Sequence, residues 1–394
     1  MIPDVFAPAT LGPVQLRNRI VKAATFEGKT PDGVVTPELV DYHLGPARGG
    51  VGMTTVAYLA VAEEGPTHRG GIVVNDRSAP GLAHLADQIH QTGAAVAGQV
   101  GHAGPVANGR SNGAQAVSSS RFFNPMGMKF VRSASEADIT RITRAYVRTA
   151  RLLVDAGFDA LELHMAHNYL LSSFLAPGIN RRKDRWGGSL ENRARFPRQV
   201  VRAVREEVGD EVAVYAKVSL NDGHAAGLRT REALEFAHLL DDDGLLDAMQ
   251  MTGGSSLMNP MYLFRGGAPV KEFAAQMQQP LKFGLRVFGK GFMKSYPFEE
   301  AYFREKALAW RSEIKTPLML LGGINRTDTM QQAMADGFDF VAMGRALLFE
   351  PDLVNRLAAA EVATGSCIHC NRCMPTIYAA GGTHCPILVE AGRG

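Results

Sequence analysis

The chain has 394 residues, 46% of them hydrophobic, so it can bury a large core and form one large or two medium domains. Its 42 Lys and Arg against 39 Asp and Glu leave a dispersed net charge of +3, without the basic footprint of a nucleic-acid binder. The start, MIPDVFAPATLGPVQLRNRI, lacks a basic region followed by a long apolar run, and no apolar stretch reaches bilayer length. No leader and no membrane span are expected, and a cytoplasmic location is the default.

In chain order, strands are predicted at 19–25, 51–57, 94–100, 158–164, 212–219, 246–252, 317–323 and 338–344. Amphipathic stretches such as 136–157 and 189–209 lie between them, with apolar residues at helical spacing. Near-continuous apolar strands alternating with helices imply a parallel sheet covered by helices. Eight such units predict an α/β fold, a (β/α)8 TIM barrel spanning 1–362; such barrels often run ~250 residues and grow by insertion. A doubly wound open sheet is the alternative, but no GxGxxG follows the first strand.

A long insertion follows the sixth predicted strand, at about 253–316, rich in Gly, Met, aromatic and basic residues. Long loops in compact domains are usually functional or disordered. An ordered lid is expected, with a surface hairpin of no role as the alternative. Tyr262, Phe264, Arg265, Phe292 and Tyr296 are its candidates for touching substrate. Barrel active sites lie at the C-terminal ends of the strands. His164 ends the fourth predicted strand, and His167 and Tyr169 follow it, so all three are expected in one site.

All four cysteines, Cys367, Cys370, Cys373 and Cys385, fall in an extension at 363–394 with the spacing C-x2-C-x2-C-x11-C. Such grouping reads as a ligand set rather than a disulfide framework. A 4Fe–4S cluster, a structural zinc and free thiols are the three readings.

The stretch FDALELHMAHNYLLSSFLAPGINRRKDRWGGSLENRARF (158–196) closely resembles the signature of the old yellow enzyme family of FMN-dependent oxidoreductases. LGPVQLRNRIVKAAT, GQVGHAG (98–104), GGI (322–324) and AMGRALLFEP (342–351) extend the resemblance over essentially the whole chain. It implies an enzyme that reduces activated C=C bonds with NAD(P)H through FMN. His164 and His167 would hold the electron-withdrawing group of a small-molecule substrate, and Tyr169 would deliver the proton. Gln99 would bond the flavin's pyrimidine edge. Lys217 would be the cation beside N1, more commonly arginine. Gly323, Gly344 and Arg345 would hold the phosphate, while Ala24, Thr25 and Ala57 would contact the ring. Phe26 takes a position near the reactive edge where relatives often carry Cys, Thr or His, which points to a different substrate range.

The dienoyl-CoA reductase and trimethylamine dehydrogenase branches carry a 4Fe–4S cluster at nearly the same cysteine gaps. The resemblance therefore favours a cluster here, with an external electron carrier as the partner it would need. An amine or alcohol dehydrogenase working through the cluster, and a non-catalytic flavin- or metal-holding subunit, are the competing functions. A homo-oligomer is compatible with all of them.

Overall fold

The computed structural model describes residues 2–68, 70–124, 128–279 and 281–392; the side chain of Phe292 lies outside the described part. Eight parallel strands close into a barrel: β1 (Ile20–Lys22), β2 (Met53–Ala60), β3 (Ala95–Gly101), β4 (Ala160–Met165), β5 (Ala213–Ser219), β6 (Ala248–Thr252), β7 (Leu318–Leu321) and β8 (Phe340–Met343). Each overlaps its predicted run. The TIM barrel replaces the open-sheet alternative, because β8 pairs with β1 and leaves no edge.

The strand residues are buried on both faces, which is why they read as apolar runs. Inside, small residues on β3 to β6 (Ala97, Ala160, Ala213, Ala248) make room for Tyr215, Met319 and Phe340. Burying a side chain such as that of Phe340 stabilises the fold by ~1.5–3 kcal/mol. An N-terminal hairpin, Ala9–Leu11 paired with Val14–Leu16, packs Leu11 and Leu16 against these residues. The helices sit outside. Glu136–Asp155 starts with a capping box in which the Ser135 hydroxyl accepts from the Asp138 N–H and the Asp138 carboxylate accepts from the Ser135 N–H.

Two departures from the sequence reading bear on the mouth of the barrel. A three-stranded sheet, Val117–Ser118, Phe122–Asn124 and Lys129–Ser133, follows β3 where no strands were expected. The insertion after β6 carries, among the described residues, the short helices Pro260–Phe264, Val270–Gln276 and Leu281–Phe292 ahead of the crossover helix Arg304–Arg311. No helix among the described residues is long and apolar enough to cross a membrane.

Candidate active site

Inward-facing residues alternate along each strand. On β4 this puts Ala160, Glu162 and His164 inside, and on β5 Tyr215, Lys217 and Ser219. Lys217 registers with His164 on β4 and with Gln250 on β6. The polar inward residues therefore collect at the C-terminal end, above the apolar ones.

His164, His167 and Tyr169 come together there. The His164 ring stacks on Tyr169 (4.3 Å between centroids, 6° between planes) and lies 5.2 Å from the His167 ring. The chain delivers His167 through a tight turn in which His167 and Asn168 both have left-handed backbones (φ +60° and +59°). Such conformations are uncommon outside glycine and persist only where the surroundings impose them. Here the Asn168 amide donates to the buried Asp222 carboxylate at 2.8 Å, and the His167 carbonyl accepts from the Ser256 N–H at 3.2 Å. The backbone N–H of Ala166 donates to His164 Nδ1 at 3.3 Å, so the neutral ring carries its proton on Nε2 and donates from there. His167 Nε2 lies 3.1 Å from the Thr252 hydroxyl.

Burial holds both imidazoles neutral. The His164 pKa is pushed well below its ordinary value by desolvation and then by His167 and Lys217, and that of His167 falls to about 3 from desolvation and the Lys217 charge. Burial raises the Tyr169 phenol above its usual range, so it stays protonated. The site thus presents neutral N–H and O–H groups rather than charges.

Lys217, by contrast, is paired. Its ammonium lies 2.8 Å from Glu162 Oε1, and the Gln99 amide donates to the same oxygen. Among the described residues, Glu162 Oε2 and Gln250 Oε1 are buried without a hydrogen-bond partner. Unpaired buried acceptors are costly, and one of them would suit the single N3–H donor that the pyrimidine edge of FMN offers. At the other end, Gly323 has φ +79°, and a Cβ there would meet the Phe298 and Tyr302 rings at 2.7 Å. Around Gly344 the nearest atom to such a Cβ is 3.8 Å away, on Thr25, leaving room for a ligand against the backbone. Arg345 follows directly. Gln99, Lys217, Gly323, Gly344 and Arg345 would hold FMN from its ring to its phosphate, with Ala24, Thr25 and Ala57 along the β1 and β2 side.

Phe26 and Tyr169 both pack against a buried cluster that includes Ala57 and Tyr58. The Phe26 ring meets His68 at 5.0 Å, His68 meets Tyr378 at 5.7 Å, and Tyr378 meets Phe273 at 6.1 Å. This wall joins the β1 loop, the C-terminal extension and the lid. Tyr262, Phe264 and Arg265 lie elsewhere. The Arg265 guanidinium sits over the Tyr262 and Tyr296 rings at 4.6 and 4.5 Å, and its carbonyl accepts from Arg345. Phe264 packs near Met374. The structure thus gathers these three at the Arg345 end and not around the histidine pair.

Several residues escaped the sequence reading. Glu162 was legible as a carboxylate at an inward position two before His164. Tyr58, edge-on to Tyr169 at 5.4 Å, hid in an apolar strand. Glu27 is buried between Lys22 (3.8 Å) and His43 (3.1 Å) and accepts from the Ala57 N–H at 3.0 Å. Burial lowers the Lys22 pKa to about 8. The four cysteines are half-buried free thiols. Among the described residues no three His, Cys, Asp or Glu side chains converge to hold a metal ion.

A closed parallel barrel with a polar mouth is compatible with many activities, and comparison with known proteins narrows them. Residues 4–254 match the model of the NADH:flavin oxidoreductase / NADH oxidase family. The chain belongs to that family, the old yellow enzyme family, whose members use FMN and NAD(P)H. It is 50% identical over 385 residues to the 4,4'-dithiodibutanoate disulfide reductase of Rhodococcus erythropolis, covering 98% of this chain and 95% of that protein. It is 29% identical to a metal reductase of Desulforamulus reducens, of which it spans 54% against 99% of its own length. Among solved structures, the old yellow enzyme homologue from Zymomonas mobilis shares the fold with a TM-score of 0.74 at 22% identity, covering 98% of both chains.

Proposed function

We propose that this NAD(P)H-dependent FMN oxidoreductase reduces small organic disulfides, with His164 and His167 gripping the substrate atom that gains negative charge. The carrying observation is the pair of neutral buried imidazoles, His164 and His167, with ring centroids 5.2 Å apart. The half-identity to a disulfide reductase over nearly both full lengths supports this substrate class. FMN, when bound, takes two electrons and a proton from NAD(P)H and supplies them to the substrate. The net change balances as NAD(P)H + H⁺ + RSSR → NAD(P)⁺ + 2 RSH. The His164 Nε2–H and a His167 N–H donate to the departing sulfur as it becomes thiolate, and each such donor in a dry site is worth ~10²–10³ in rate. The Phe26, His68 and Tyr378 wall excludes water and shapes the entrance.

The same clamp suits a second reading, reduction of an activated C=C bond. There the histidines would hold a carbonyl oxygen and Tyr169 would protonate carbon, a general-acid step worth ~10²–10⁴. The stacking of Tyr169 on His164 favours it, since an acid is placed beside the oxyanion donors. Anaerobic assays with NADH and NADPH decide between the two. Two thiols released per reduced nicotinamide from 4,4'-dithiodibutanoate, with cyclohexenone a poor substrate, support the first reading; the reverse preference overturns it.

The cysteine set remains a candidate for a 4Fe–4S cluster on its spacing alone. About four irons and four sulfides per chain in anaerobically purified protein would support a cluster; one zinc, or no metal, would remove it.

A further inference from the structure

Arg345 is tied to the cysteine loop. Its Nη1 donates to the Arg265 carbonyl at 3.0 Å and to Asn371 Oδ1. Asn371 lies between Cys370 and Cys373, is 1% exposed and has a left-handed backbone (φ +61°). Its amide donates to the carbonyls of Arg265 at 3.0 Å and Gly267 at 2.9 Å. Both ends of a buried amide are therefore satisfied, and the acceptor end is spent on the arginine. Two residues earlier, His369 stacks flat on Phe298 (3.5 Å, 9°), the ring that lies against Gly323. One loop thus bonds the residue that starts the helix after β8 and reaches the turn after β7 through the Phe298 ring.

An arginine side chain carries ~2 kcal/mol of rotamer entropy, part of which is lost whenever it grips a ligand. Anchoring Nη1 on two oxygens beforehand removes that loss from the binding step and fixes the plane of the fork. We infer that Asn371 is a positioning residue for the FMN phosphate: it holds the Arg345 guanidinium in its binding orientation and so makes the cysteine loop part of the cofactor site. The inference rests on the reading of Arg345 as the phosphate ligand.

The test compares FMN with riboflavin, which lacks the phosphate, by quenching of flavin fluorescence on titration with full-length protein stripped of flavin. Asn371→Gly keeps the left-handed backbone, because glycine adopts it freely, and deletes the side chain. Arg345→Ala should weaken FMN by ~100-fold through loss of a charge-assisted contact and leave riboflavin nearly unchanged. Asn371→Gly should weaken FMN by ~10-fold with riboflavin unaffected. The double variant should bind FMN no worse than Arg345→Ala, as expected for residues acting through one another. Equal weakening of both flavins by Asn371→Gly, or additive losses in the double variant, would overturn the inference. Should Asn371→Gly not fold, Arg345→Lys serves: it keeps the charge but not the fork, so FMN preference must still fall, and retained preference overturns the inference. Equal weakening of both flavins by Arg345→Ala would instead sink the phosphate reading itself.

Discussion

The Lys217 ammonium and the Glu162 carboxylate are 2.8 Å apart and both buried. The cation that would face the flavin is therefore partly neutralised from below. Breaking a buried pair by removing one partner costs ~3–5 kcal/mol of stability. Lys217→Met should lower the midpoint potential of bound FMN, and Glu162→Gln should raise it, each by ~30 mV or more, which is ~1.4 kcal/mol for a two-electron couple. Equilibration with redox dyes measures both; shifts of the same sign would show that the pair acts only on packing.

Tyr169→Phe separates the two substrate readings. A thiolate has a conjugate acid near pKa ~8.5 and takes its proton from water, whereas a carbanion-like centre needs a placed acid. Reduction of an enone should slow by ~10²-fold and disulfide reduction by far less, with flavin reduction by NAD(P)H unchanged. Stopped-flow measurement of both half-reactions reads this directly; equal slowing of all of them would assign Tyr169 to shaping the site.

The neutral histidines give stability a pH dependence of known sign. His167 holds its proton only below about pH 3 in the fold, against an ordinary 6.5, and His164 is displaced the same way. The unfolded chain protonates first, so stability present above 6.5 is lost as pH falls through the window below it. His167 contributes ~2 kcal/mol of loss between pH 7 and 5, and His164 acts in the same direction. Asp222, raised to about 6 by burial, opposes this because the fold keeps its proton between 3.8 and 6. Urea unfolding at both pH values should show a net loss on acidification, and His167→Asn should reduce it. An undiminished loss in that variant would place the effect elsewhere.

Substrate rank should follow the aromatic wall rather than the first lid helix. Tyr378→Ala and Phe26→Ala should reorder bulky and small substrates, whereas Tyr262→Ala, which removes one ring under Arg265, should lower FMN retention and leave the rank unchanged. Kinetics with a substrate panel and flavin content after dialysis check the two halves; reordering by Tyr262→Ala would return that residue to the substrate side.

The barrel was legible because strands buried on both faces leave apolar runs, and β4 with its histidines stood out for the same reason. The sheet at 117–133 was not: Phe122–Asn124 and Lys129–Ser133 are short, partly exposed and without a sustained alternation. The hairpin at Ala9–Leu16 did carry a turn signal, Gly12 and Pro13, that went unread. Glu162 was readable from the two-residue period, yet its pairing with Lys217 depends on the register between β4 and β5, which one strand's sequence does not contain. The lid residues were placed by their position after β6, and only the packing of Arg265 on tyrosines drew them toward Arg345.

Thr383 donates from its backbone N–H to the Glu27 carbonyl and from its hydroxyl to the Phe26 carbonyl, each at 2.6 Å, the latter across 357 residues. Such a contact closes nearly the longest loop this sequence can form, and its entropic cost is met only once the barrel has brought both segments to one rim. The entrance should therefore form after the barrel, an order that pulsed hydrogen exchange during refolding would read. During synthesis a complete barrel can exist while its mouth is still unfinished, and a chain shortened just before Thr383 should keep its far-ultraviolet spectrum yet leave the loop at Phe26 open to proteases.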